Sequence, residues 1–241
     1  MAPLYPKMRE RPEEFRINPH WPFFGWLDFA FLPSQTRRLR VGYGVQESIL
    51  AQSGSVTPSL WYVPQLSRFA AYSGGASPSY IYSTNVANKQ YLMDPHSIMC
   101  IIRLRSTATD VYGSGVVAAM DTNQAARGKD VYVMNSLNTY PRQLAIHVLE
   151  QWTPTPKGYR VRNQTQLSLG VWYCIFVTWN GQGAYGFRIY LNGKPDGVIV
   201  WDNVTPNNVK LNINYSVFNR LNSSGKDPAG YDLDLADGLF L

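Results

Sequence analysis

Apolar and polar residues alternate over short stretches of this chain, and turn residues cut the stretches at close intervals. The clearest alternation is Phe187-Arg-Ile-Tyr-Leu-Asn, which sets Phe187, Ile189 and Leu191 on one face and Arg188, Tyr190 and Asn192 on the other, as a half-buried strand requires. Asn192-Gly193 follows, and this pair supplies the positive φ angles of a tight turn. The turn is read through Lys194-Pro-Asp-Gly197, with Val198-Ile-Val-Trp201 returning, so the pattern predicts a hairpin between those two runs. Residues 171–179 are of β-branched and aromatic character and predict another strand, with Trp172 and Phe176 expected in the core beside Phe187, Ile189 and Leu191. Shorter apolar runs at 60–63, 68–72, 98–104, 115–120, 131–134, 143–152, 211–215 and 231–235 complete the series. Roughly a dozen strands with no helical period predict an all-β chain, an antiparallel two-sheet β-sandwich of jelly-roll type.

The beginning of the chain reads differently. Residues 1–20 carry Pro3, Pro6, Pro12 and Pro19, which favour extended backbone and forbid regular helix. This segment is expected to be an extended arm that anchors to a neighbouring subunit through Leu4, Tyr5, Phe15 and Ile17. Residues 21–32 are densely aromatic and read as an edge strand or an adhesive patch. The expected organisation is therefore an arm, 1–20, and one sandwich domain, 21–241.

Composition narrows the function classes. The chain is 45% hydrophobic and 16% charged, enough to build a core and too poor in charge to stay unfolded. The net charge of +6 is scattered, apart from Arg37, Arg38 and Arg40, which read as a solvated or oligomer-facing loop rather than a phosphate site; no nucleic-acid partner is expected. Cys100 and Cys174 fall inside predicted strands and are expected to be free thiols. The opening residues have no apolar h-region and no run is long enough to cross a bilayer, so neither general secretory export nor a membrane partner is expected.

The segment Leu169-Gly-Val-Trp-Tyr-Cys-Ile-Phe-Val-Thr-Trp-Asn-Gly, followed by Phe187-Arg-Ile-Tyr-Leu-Asn-Gly-Lys-Pro-Asp-Gly, resembles the laminin-G-like, or concanavalin A-like, lectin/glucanase superfamily. Gly170, Trp172, Val177, Thr178, Trp179, Gly181, Tyr190, Asn192 and Gly193 stand where that family's pattern has comparable residues. Gly230-Tyr-Asp-Leu-Asp-Leu-Ala-Asp-Gly-Leu-Phe-Leu resembles its closing strand, and the resemblance spans residues 167–241. It implies the fold, and a fold that hosts lectins, hydrolases, adhesion modules and virion proteins.

Catalytic chemistry has little to stand on. The Glu-x-Asp-x-Glu strand of the family's glucanases is absent, and Glu10, Glu13, Glu14, Glu47 and Glu150 are the only glutamates. His20, His96 and His147 have no zinc spacing. No catalytic residue and no cofactor is expected; if calcium binds, Asp196, Asp232, Asp234 and Asp237 are the candidate ligands. The leading expectation is a non-enzymatic structural protein of a tailed-bacteriophage particle, in head decoration or tail. Its partners would be other virion proteins, copies of itself and a host-surface glycan. The alternative is a carbohydrate-binding lectin module whose Tyr140, Trp152 or Tyr185 stacks on sugar rings. A glycoside hydrolase ranks third.

Overall fold

The computed structural model describes residues 28–33, 41–42, 48–53, 59–72, 80–83, 89–105, 114–122, 127–134, 139–151, 155–220, 227–228 and 233–241. The expected arm, with Leu4, Tyr5, Phe15 and Ile17, lies outside the described residues, as do Arg37, Arg38, Arg40, Trp152 and Asp232.

Alternation of inward and outward side chains organises two antiparallel sheets. The eight-stranded sheet runs β15 (Lys194–Asp196), β14 (Phe187–Leu191), β13 (Trp172–Trp179), β8 (His96–Leu104), β20 (Leu233–Phe240), β5 (Arg68–Tyr72), β4 (Ser59–Val63), with β1 (Phe29–Phe31) also on β20. The ten-stranded sheet runs β16 (Val198–Val204), β12 (Lys157–Asn163), β11 (Leu144–Gln151), β10 (Gly128–Val133), β9 (Ser114–Asp121), β17 (Lys210–Val217), β6 (Tyr80–Ser83), β3 (Ser48–Ser53), β2 (Val41–Gly42), with β7 (Lys89–Tyr91) on β17. A two-residue pairing of β18 (Asn219–Arg220) with β19 (Asp227–Pro228) stands apart. The fold is the expected all-β sandwich.

The core lies between the sheets. Ile98, Cys100, Ile102 and Leu104 of β8 point inward at every second position, beside Ile175, Val177 and Trp179 of β13 and Phe187, Ile189 and Leu191 of β14. They meet Val131 and Val133, Leu144, Ile146 and Val148, Val161, Ile213 and Val217 from the other sheet. A strand buried on one face needs this period of two, because a one-residue slip would turn the whole set to water.

Three expectations change. First, Val198–Val204 does not return beside Phe187–Leu191. Asn192 (φ 52°) and Gly193 (φ 78°) turn the chain into the short strand β15, and β16 then crosses to the other sheet and pairs with β12. The turn chemistry was read correctly and its partner was not, because a tight turn dictates only the residues beside it. Second, Trp172 and Phe176 are half-buried rather than core, since they alternate with Tyr173, Ile175 and Val177 and face outward; Trp179, two turns of the pleat further, is the core tryptophan. Third, β12 is a strand that the expected series did not include, although Tyr159 and Val161 point into the core and alternate with Arg160 and Arg162; it pairs between β11 and β16.

Cys100 and Cys174 are free thiols. They sit on neighbouring strands, but Cys174 opposes Ile101 while Cys100 opposes Ile175, so one points outward and the other into the core. Asn163, which opens the sequence Asn163-Gln-Thr165, is fully buried. Its Oδ1 accepts from the Leu144 N–H at 2.7 Å and its Nδ2 donates to Asp196 at 2.8 Å.

The burial pattern separates two phenylalanines on adjacent strands. Phe187→Ala is expected to lower unfolding free energy by about 3–5 kcal/mol in denaturant titration, the range for a fully buried aromatic ring. Phe176→Ala, on the outward face, is expected to cost less than half as much. Equal costs would contradict the facing described.

Candidate functional site

The outward face of the eight-stranded sheet is graded from one end to the other. Cross-strand register aligns Trp172 of β13 with Arg103 of β8, Arg103 with Asp234 of β20, and Asp234 with Tyr72 of β5. Four residues back along β8, Phe176 aligns with Met99, and Met99 with Leu239. At about 3.3 Å per residue the charged row and the apolar row lie about 13 Å apart.

The charged row is built on Asp234, whose side chain has no exposure. Its Oδ2 accepts Nε of Arg103 at 2.9 Å and Nη2 at 2.8 Å; its Oδ1 accepts Nη2 of Arg105 at 2.7 Å and the indole N–H of Trp61 at 2.8 Å. Nε of Arg105 lies 2.8 Å from Oδ2. The guanidinium of Arg103 rests over the rings of Trp61 and Trp172, and that of Arg105 over Trp61 at 4.5 Å and Tyr72 at 4.1 Å. Aromatic faces attract cations electrostatically, so the rings hold the guanidinium planes as well as shielding them. A cavity of about 440 Å³ opens here, lined by Trp61, Pro64, Gln65, Arg103, Arg105 and Gly170.

The apolar row lines a larger cleft, about 880 Å³, at the other end. Met99, Phe176, Trp179, Leu239, Leu241 and Pro95 supply its apolar wall, and Asp28, Gln90, Asp94, His96 and Ser97 its polar groups. Asp28 reaches this place because it precedes β1, whose pairing with the end of β20 is extended by a hydrogen bond from the Asp28 N–H to the Phe240 carbonyl. Gln90 donates to the Asp28 carboxylate and lies 3.1 Å from the Tyr215 hydroxyl. Asp94 closes the turn after β7 by accepting the Tyr91 N–H at 2.8 Å.

Burial tunes the groups behind this cleft. Lys129 of β10 points into the core side and donates to the Asp94 carbonyl at 3.0 Å; burial pushes its amine down to about 8, against partial support from Asp94 and Asp28. Burial, then the nearby Lys129 charge, holds the His96 imidazole well below the usual histidine range and hence neutral. His96 packs edge-on against Trp179 at 5.4 Å, and its Nε2 has no hydrogen-bond partner among the described residues. Asp28 is raised above the ordinary carboxylate value, chiefly by burial.

The candidates read from sequence fall elsewhere. Tyr140 is exposed, but the Arg162 guanidinium covers one face of its ring at 3.4 Å. Tyr185 is 73% exposed at the tip of the turn 184–186. Neither lines the cleft or the charged cavity. The three described calcium candidates, Asp196, Asp234 and Asp237, are committed to other partners. Asp234 is saturated by arginines and Trp61, and Asp237 lies 3.9 Å from Arg68. Asp196 accepts from Asn163, from the backbone and hydroxyl of Thr165, and from the Gly197 N–H. Among the described residues no group of three or more His, Cys, Asp or Glu converges as a metal site. The sequence did carry one signal for the charged row: Arg103-Leu-Arg105 sets two arginines on the face opposite the apolar positions of β8.

No protein-family model matches this chain, and no curated protein matches it. Solved structures do. The botulinum neurotoxin serotype C1 binding domain aligns over 89% of this chain and 48% of its own, at 15% identity and a TM-score of 0.57. A structure titled for the dependence of botulinum neurotoxin type C cell entry on two ganglioside molecules aligns over 88% and 47%, at 14% identity and a TM-score of 0.55. The binding domain of Paraclostridial Mosquitocidal Protein 1 aligns over 89% and 48%, at 12% identity and a TM-score of 0.52. The chain spans about half the length of these domains. At such identities the likeness establishes a shared β-sandwich fold.

Two measurements check the site. Asp234→Ala is expected to cost about 3–5 kcal/mol of stability, because it leaves two guanidiniums facing each other without their carboxylate; a loss under 1 kcal/mol in denaturant titration would contradict the described cluster. For Lys129 the sign follows from its depressed value. The folded chain binds this proton more weakly than the unfolded chain, so the penalty is full below about pH 8 and lifts as pH rises toward the ordinary lysine value. The wild type is expected to gain stability relative to Lys129→Met between about pH 8 and pH 10; parallel stability-against-pH curves would contradict it.

Proposed function

We propose that this chain is a non-enzymatic glycan-binding module that takes a pyranose ring in the cleft beside β8 and β13. The observation that carries the reading is the convergence of Asp28, Gln90, Asp94 and His96 on an apolar wall of Met99, Phe176 and Leu239. Sugars ask for this combination: carboxylates and amides exchange hydrogen bonds with ring hydroxyls, while an aromatic or aliphatic surface meets the C–H face. The cleft volume sits within the roughly 300–1,000 Å³ usual for small-ligand sites. The fold likeness adds support, since its members are binding domains and one is titled for ganglioside interaction. That likeness lends no support to a role as a virion structural protein, so of the two sequence expectations the lectin-like alternative is the one advanced. Asp234, the described acid of the closing strand, has its oxygens committed to Arg103, Arg105 and Trp61, which leaves it unsuited to acid–base work.

The test is a screen of the full chain against immobilised glycans, followed by titration of the best ligand. Phe176→Ala and Asp94→Asn are each expected to weaken binding at least tenfold with melting little changed. Tyr185→Ala, outside the cleft, is expected to bind as wild type. Binding that survives both cleft substitutions, or no saccharide binding at all, overturns the reading.

A further inference from the structure

We infer that the Arg103–Arg105 cavity on the outward face is an oxyanion subsite, built for the carboxylate or sulfate of an acidic saccharide. The inference rests on the glycan-binding reading above and names the substrate class that reading leaves open. A guanidinium has five N–H donors. Each of these two arginines spends its Nε and one Nη2 donor on Asp234. Both N–H groups on each Nη1, and one on each Nη2, have no partner among the described residues. Two cations share one carboxylate, so the cluster carries a formal surplus of one positive charge.

Three features turn that surplus into a site rather than a solvated pair. The arginine side chains are only 15% and 32% exposed, which limits competition from water. Their planes are clamped by Trp61, Trp172 and Tyr72 and by Asp234 itself, so little side-chain freedom remains to be lost when a ligand arrives. Guanidinium forks pair with two oxygens of a carboxylate or of a tetrahedral oxyanion through parallel N–H bonds. The cavity, about 440 Å³, has room for a ring beside the anion, with Trp61 as its apolar wall and the exposed Gln65 at its rim for hydroxyls. A polymeric anion is a poorer fit, because one surplus charge in a concavity offers no track for successive phosphates.

The experiment titrates the full chain with glucuronate, N-acetylglucosamine 6-sulfate, glucose and inorganic sulfate, reading tryptophan fluorescence and the indole N–H signals of Trp61 and Trp172. The two acidic sugars distinguish a carboxylate from a sulfate ester as the preferred group. At least one is expected to bind ten or more times tighter than glucose at this site, and to weaken several-fold between about 50 and 300 mM salt. Arg105→Gln is expected to bring that preference close to one. Because Arg105 also holds Asp234, Gln65→Glu serves as the second variant. It touches nothing in the cluster and should lower acidic-sugar binding at least fivefold through repulsion, with melting unchanged. Equal binding of glucose, or an acidic preference untouched by both variants, overturns the subsite. So does inorganic sulfate binding as tightly as the sulfated sugar, which would leave a bare anion site. If acidic preference fails while cleft-dependent glycan binding persists, only the subsite falls; if Phe176→Ala and Asp94→Asn are without effect on glycan binding, the reading beneath it falls.

Discussion

A carboxylate cut off from water organises one face of this molecule. Asp234 sits on β20, at the middle of the eight-stranded sheet, and binds donors from β4 and β8 together with Arg105 just beyond β8. Burying its charge would be prohibitive alone, and its oxygens are satisfied only because three strands hold register there. A slip of one residue in β8 would send Arg103 and Arg105 into the core and Leu104 to the surface. The same pairing that buries Ile98, Cys100 and Ile102 therefore delivers the guanidiniums outside, and packing and site are consequences of one register.

The two ends of that face differ in the kind of ligand they invite. At one end the sheet's own side chains present positive charge and flat aromatic surface. At the other, β1 and the turn after β7 bring carboxylates and an amide over an apolar row. Both are rigidly backed, by strands rather than by long loops, which favours binding through preformed shape. Lys129 and His96 are ionisable groups driven toward neutrality by burial, with the nearby lysine charge adding to the effect at His96. His96 is part of the cleft lining, and Lys129 sits on the core side behind it with its ammonium donating to the Asp94 carbonyl.

Much of the fold is legible along the chain. Alternation in Phe187, Ile189 and Leu191, the β-branched run at 171–179 and the Asn192-Gly193 turn are local features, and local sterics and side-chain period act on them directly. The all-β class, the free cysteines and the position of most strands follow from such features. What the chain could not disclose is which strand lies beside which. β16 leaves its apparent hairpin partner for β12 because burying its row against the other sheet depends on groups far away in sequence. Trp172 and Phe176 looked like core because aromatic content was visible and facing was not.

The candidate site shows the same division more sharply. By itself the sequence determined the types of residue available: an Arg-x-Arg pair on a strand, aromatics in quantity, few glutamates, isolated histidines. Those are statements about composition and period two, which one strand carries alone. Only the tertiary structure decided that Asp234 would meet Arg103, Arg105 and Trp61, contacts spanning 131, 129 and 173 residues of chain. It alone set Asp28 beside Gln90 across 62 residues and left Tyr140 and Tyr185 away from the cleft. Convergence of distant side chains is a property of strand order and register. Those are chosen by the free energy of the whole packed sandwich, which no local segment contains.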